Sequence, residues 1–78
     1  MQRNQTLAML DRIRLCNEHG PMDALLITAS GGREITKLRN LIRAGWVKVV
    51  PHPELTGPDK KPVEALVITD AGRAALAS

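Results

Sequence analysis

Arg33-Glu34-Ile35-Thr36-Lys37-Leu38-Arg39-Asn40-Leu41-Ile42-Arg43-Ala44-Gly45-Trp46 is the stretch around which the rest of the chain is organised. Wound at 3.6 residues per turn, Ile35, Leu38 and Ile42 share one stripe, with Leu41 at its margin. Arg33, Thr36, Lys37 and Asn40 occupy the opposite stripe, flanked by Arg39 and Arg43. One face can anchor in a core while the other offers guanidinium, ammonium and amide groups to a partner. Arg33 to Lys48 holds five basic residues and one acid, Glu34, while the whole chain carries a net charge of only +3. The positive charge is therefore concentrated here. Arg, Lys and Asn on a free helix face suit phosphates and the major-groove edges of bases. The plainer reading of such a face is a solvated surface.

The flanking sequence supplies the rest of the architecture. Thr6, Met9 or Leu10, Ile13, and Cys16 or Asn17 recur at helical spacing, which predicts a first helix over residues 6–19. Gly20 stops it and Pro21 opens the next element. Met22, Leu25, Leu26 and Ala29 then predict a second helix over residues 21–29, with Asp23 in its first turn complementing the helix dipole. Ser30, Gly31 and Gly32 make a turn, and Ser30 or Gly31 caps a third helix over residues 32–44. Two helices joined by a short glycine-containing turn, the second of them basic, form a helix-turn-helix pattern.

Gly45 ends the third helix as a glycine just past a helix should. Trp46 to Val50 changes to β-branched and aromatic character, as does Val63 to Thr69, so the expectation is a two-stranded antiparallel hairpin over residues 46–50 and 63–69. The twelve residues between, 51–62, hold four of the chain's five prolines. They predict a long loop, and long loops of this kind carry function or mobility more often than structure. Lys60 and Lys61, near its far end, could reach a phosphate backbone. Thr69 as cap, Asp70 in the first turn and the alanines after it predict a short closing helix over residues 70–76.

Seventy-eight residues make one domain, 1–78, of α+β class. At this size about 60% of the unfolded surface is buried, which leaves little room for an enclosed active site. Trp46 is the only residue among Phe, Trp and Tyr. Aliphatic side chains must fill the core, and binders that stack single-stranded bases on several rings are disfavoured. A tryptophan entering a strand is read as packing. One cysteine, Cys16, cannot form an intramolecular disulfide, no run approaches the roughly 18 apolar residues of a membrane span, and the amino terminus lacks a signal-peptide layout. Cytoplasm is the expected location.

Catalytic and metal chemistry finds little support in the same residues. Cys16 and His19 lie three apart on one helix, but only His52 could join them, too few ligands for a closed zinc site. Gly31-Gly32 is followed by Arg33 and not by the ending of a phosphate loop. Ser30 has no His base at a known spacing, and Asp70 with Glu64 shows no cleft around it. No enzyme, cofactor, metal or small-molecule ligand is expected. Leu15 and Leu55 fall off the apolar faces and could mark a partner surface.

The order helix, helix, basic helix, hairpin, short helix resembles the winged helix-turn-helix domain, with a three-helix core and a two-stranded wing. Leu38-x-x-Leu41-Ile42-x-x-Gly45-Trp46-Val47 is similar to the end of a recognition helix running into the first wing strand. Leu66-Val67-Ile68-Thr69-Asp70-x-Gly72-x-x-x-Leu76 is similar to the second wing strand entering its closing helix in the MarR-like and PadR-like bacterial regulators. The resemblance spans residues 6–76. It implies a third helix in the major groove and a wing on backbone or minor groove. Arg33, Thr36, Lys37 and Asn40 then become candidates for base or phosphate contact, with Arg39 and Arg43 on flanking phosphates and Lys60 and Lys61 as wing contacts. Two features depart from the family: the long dimerisation helices are missing, and the wing tip has no arginine.

The expected function is sequence-specific binding of double-stranded DNA by a small bacterial or phage transcriptional regulator. It would act as a homodimer or beside a protein partner, because a single module covers only a short half-site. The alternative is a winged helix reused as a protein-interaction module, an adaptor or inhibitor of a larger complex, since a fold does not dictate its function.

Overall fold

The computed structural model describes residues 3–78, and the side chains of residues 5–78. Met1 and Gln2, at the start of the amino-terminal stretch read above, lie outside the described residues. The chain is a small α+β unit: α1 (Arg3–Asn17), β1 (Met22–Asp23), α2 (Leu25–Thr28), α3 (Gly32–Arg43), β2 (Val47–Thr56), β3 (Pro62–Ile68) and α4 (Asp70–Ala77). The strands form one antiparallel sheet in the order β1-β3-β2. Leu10, Ile13, Ile27, Leu41 and Leu66 are fully buried at its centre. Burying a side chain of this size is worth about 1.5–3 kcal/mol. Met9, Met22, Leu38, Val47 and Ile68 complete an aliphatic core, with Trp46 packed against it and half-exposed.

The first helix begins at Arg3 and not at Thr6, since no Gly or Pro in residues 3–5 interrupts it. It ends at Asn17, two residues short of His19, and residues 18–20 continue in tighter turns whose N–H groups donate three residues back. The Asn17 side chain has a task elsewhere. Its Oδ1 accepts the Ile68 N–H at 2.7 Å, and its Nδ2 donates to the carbonyls of Leu66 and Gly20. Leu66 and Ile68 direct these groups to the side of β3 that β1 covers only as far as Met22. The amide takes the place of the strand that is missing there.

The helix expected over residues 21–29 is replaced by a short strand and a four-residue helix. Met22, Leu25, Leu26 and Ala29 mimic a helical face, but the buried positions are Met22, Ala24 and Ile27. Their spacing is two and then three, that of a strand followed by a turn of helix. Met22 pairs with Leu66, and Asp23 Oδ1 accepts the Leu25 N–H at 2.9 Å to open α2. Leu25 and Leu26 are consequently exposed. A sheet of three strands replaces the expected two.

The loop expected over residues 51–62 is mostly strand. β2 runs on to Thr56, and only residues 57–61 connect it to β3. Pro51 is tolerated because of which way it points. Trp46 directs its carbonyl to the Thr69 N–H, so Lys48 and Val50 turn their backbone groups inward to β3, while Val47, Val49 and Pro51 turn theirs to the open edge. The missing N–H therefore removes no sheet bond. Beyond Pro51 the ladder is irregular: residues 52–55 of β2 lie opposite Val63 alone. His52 holds this bulge, its Nδ1 accepting the N–H groups of Glu54 and Leu55, each at 3.0 Å.

Candidate nucleic-acid interface

The helix that carries the basic residues is fixed at both ends by glycine. Gly31, at φ 110°, turns the chain out of the three-residue link from α2 and caps α3 without a side-chain bond. Gly45, at φ 79°, closes the other end: its N–H donates to Ile42 and that of Trp46 reaches back to Leu41, both at 3.0 Å. Leu38 and Leu41 sink into the core, at 5% and 0% exposure. Ile42, expected on the apolar stripe, is 39% exposed. The buried face is thus rotated by roughly 60° from the one inferred from Ile35, Leu38 and Ile42, on a wheel of about 100° per residue. Leu41 and Ile42 are adjacent and equally apolar, and packing against α1 and α2 selects Leu41.

The rotation redraws the outward face. Arg33, Thr36, Arg39 and Arg43 are exposed, and they fall on one side of the helix at spacings of three and four. Among the described residues no ion pair engages these three arginines. Thr36 Oγ1 donates to the Gly32 carbonyl one turn back. Asn40 is half-buried at the margin. Lys37 is the correction: its Nζ lies 3.0 Å from Glu34 Oε1, and its side chain is only 18% exposed. It folds toward α1, into a shallow recess of about 250 Å³ lined also by Gln5, Met9 and Arg12. An acid three residues before a lysine on a helix is a signal for this pairing that the sequence does contain.

Lys60 and Lys61 stand exposed in the connection between β2 and β3. The Lys60 N–H donates to the Gly57 carbonyl at 3.0 Å and the Gly57 N–H to the Lys61 carbonyl at 2.8 Å, which closes a tight turn with Pro58 and Asp59 inside it. Lys60 has φ 63°, the left-handed position that a glycine usually fills in such turns. No residue from Lys48 to Glu64 is buried, so this end of the hairpin stands away from the core.

Two arginines of α1 are engaged within the fold. Arg14 pairs with Asp11 at 2.8 Å and lies 3.7 Å from Glu18, and Arg12 reaches the Leu26 carbonyl at 3.5 Å. Among the described residues no three His, Cys, Asp or Glu side chains converge as a metal site. No helix there is long and apolar enough to cross a membrane.

No protein family, curated protein or solved structure matches the chain. The chemistry of α3 therefore stands on its own geometry: three guanidiniums outside any ion pair among the described residues and a hydroxyl, displayed by a helix whose opposite face is locked in the core.

Proposed function

We propose that the chain is a winged helix-turn-helix domain that binds double-stranded DNA sequence-specifically, as a small transcriptional regulator in the cytoplasm of a bacterium or in a phage-infected cell. The observation that carries this reading is the stripe Arg33, Thr36, Arg39, Arg43 on α3. A helix about 18 Å long fits the major groove, and free arginines there form forked bonds to guanine edges or to phosphates. The short link from α2 to α3 and the hairpin that projects Lys60 and Lys61 fit the same reading, with the lysines on flanking phosphates. Lys37 and Asn40 take marginal roles, because Lys37 is held by Glu34 and both are half-buried. The mode of action is occupancy of an operator by a homodimer or beside a partner protein, without catalysis, metal or cofactor.

The test is fluorescence anisotropy of labelled genomic DNA fragments over a salt series. One fragment is expected to stay bound near physiological salt. Each arginine fork to a base edge is worth about 1–3 kcal/mol, so Arg39→Ala with Arg43→Ala should weaken that complex by roughly 100-fold or more. The salt dependence should flatten by about one charge for each of the two that meets a phosphate instead. Lys37→Ala should cost far less. Weak binding to every fragment, vanishing together as salt rises, would defeat the proposal.

A further inference from the structure

A second surface has the opposite charge. An open groove of about 430 Å³ lies between α2 and the outer end of β3. Asp23, Asp59 and Glu64 line it with a single cation, Lys61, and its floor includes Leu25 and Val63. No ion pair engages any of the three carboxylates among the described residues. Asp23 and Asp59 each use one oxygen on a backbone N–H, of Leu25 and of Lys61. Leu25 is 60% exposed, more than any other large apolar side chain described. Ala24 and Ile27 already anchor α2 in the core, so the fold itself has no use for a leucine at position 25. β1 stops at Asp23 opposite Ala65, and the chain leaves as α2 after the Ala24 N–H has donated to the Glu64 carbonyl at 3.0 Å.

We propose that this groove docks a segment of a partner protein in which an apolar side chain is flanked by lysine or arginine. Charge complementarity selects the occupant. Three carboxylates against one ammonium, in a chain whose net charge is +3, attract a cationic segment and repel phosphates. Leu25 and Val63 supply the contact for the apolar residue between the charges. The groove shares Lys61 with the proposed DNA interface but includes no residue of the α3 stripe, so the arginine variants of α3 test one proposal and Glu64→Gln and Leu25→Ser the other.

The experiment is a titration of the 15N-labelled chain, followed by amide NMR, with three capped tripeptides: Arg-Leu-Arg, Arg-Ser-Arg and Glu-Leu-Glu. Arg-Leu-Arg should shift the amides of Leu25, Thr28, Val63 and Glu64 together. Arg-Ser-Arg should bind at least about threefold more weakly, the factor expected when one modest apolar burial is given up. Glu-Leu-Glu should leave these amides unmoved. Glu64→Gln and Leu25→Ser, both at exposed positions, should each weaken Arg-Leu-Arg by a similar factor with the unfolding temperature unchanged. Shifts scattered over the surface, or equal shifts with Glu-Leu-Glu, would overturn the proposal. So would groove amides that move with protein concentration alone, because a second copy of the chain would then be the occupant. The Arg-Ser-Arg comparison decides the matter even where a variant fails to fold.

Discussion

The two ends of the β2–β3 hairpin obey different rules. At the base, Val47 faces Ile68 and both are buried. The Thr69 N–H reaches the Trp46 carbonyl at 2.9 Å, the Thr69 hydroxyl donates to the Gly45 carbonyl at 2.6 Å, and the same hydroxyl oxygen accepts the Gly72 N–H. Asn17 adds its bonds from across the core. At the far end nothing is buried, the register slips, and the side-chain hydrogen bonds are local ones made by His52 and Asp59. The base joins elements distant in sequence and so reports on global stability. The far end joins neighbours and can change shape without unfolding the protein.

Gly72→Ala should have the largest effect. Inside α4 an alanine is favoured over glycine by about 1 kcal/mol of helix propensity. Yet a Cβ built there would lie 2.3 Å from the Trp46 carbonyl oxygen and 2.8 Å from Ile68 Cγ1. Backbone on one side and core on the other leave no direction in which to relax. The clash should win, for a net loss of about 3 kcal/mol or more. Urea unfolding measures it, and a variant within about 0.5 kcal/mol of the parent would show that the base is softer than this packing implies.

Asn17→Ala comes next. It leaves the Ile68 N–H and the Leu66 carbonyl without their amide partner in a partly buried setting, for a loss of about 2 kcal/mol. Hydrogen exchange should speed up at the Ile68 amide in particular. An unchanged rate there would mean that water replaces the amide at no cost.

What the sequence discloses follows the same division between local and distant chemistry. Gly45 past the end of α3, and Thr69-Asp70 at the start of α4, are legible because their bonds lie within a few residues. The task of Asn17 is not, since its partners are 49 and 51 residues away. Met22, Leu25, Leu26 and Ala29 mislead because one apolar spacing fits two structures, and only the pairing of Met22 with Leu66 chooses between them. Pro51 suggests a loop because its harmless edge position depends on which way the strand faces, and nothing local records that. On α3 the exposure of Arg33, Thr36, Arg39 and Arg43 follows from the sequence, and so does the spacing that pairs Lys37 with Glu34, whereas the withdrawal of Lys37 into the recess requires the neighbouring α1.

At the far end the effects should be smaller and local. His52→Leu deprives Glu54 and Leu55 of the acceptor for their N–H groups, but water can reach both, so global stability should fall by only about 0.5–1 kcal/mol. The amide signals of Glu54 and Leu55 should nonetheless move strongly. His52→Asn places a carbonyl oxygen near the site of Nδ1, a turn-forming geometry common for Asn, and should restore them. If Leu and Asn behaved alike, the imidazole would not be what shapes the bulge.

The smallest change in stability, and the most informative, should come from Lys60. A lysine at φ 63° costs roughly 1 kcal/mol against glycine in the folded state. Glycine loses a comparable amount through the greater freedom of the unfolded chain, about 0.4–1 kcal/mol. Lys60→Gly should therefore leave stability unchanged or raise it by no more than about 0.5 kcal/mol. If the hairpin turn touches phosphate as proposed, the same substitution should weaken DNA binding and lower the salt slope by about one charge. Lys60→Asn, neutral and tolerant of the left-handed region, should do the same, and Lys60→Arg should not. Those two variants separate charge from backbone strain. Should Gly and Asn bind DNA as the parent does, Lys60 would have no part in binding, and the turn's contribution would fall to Lys61 alone.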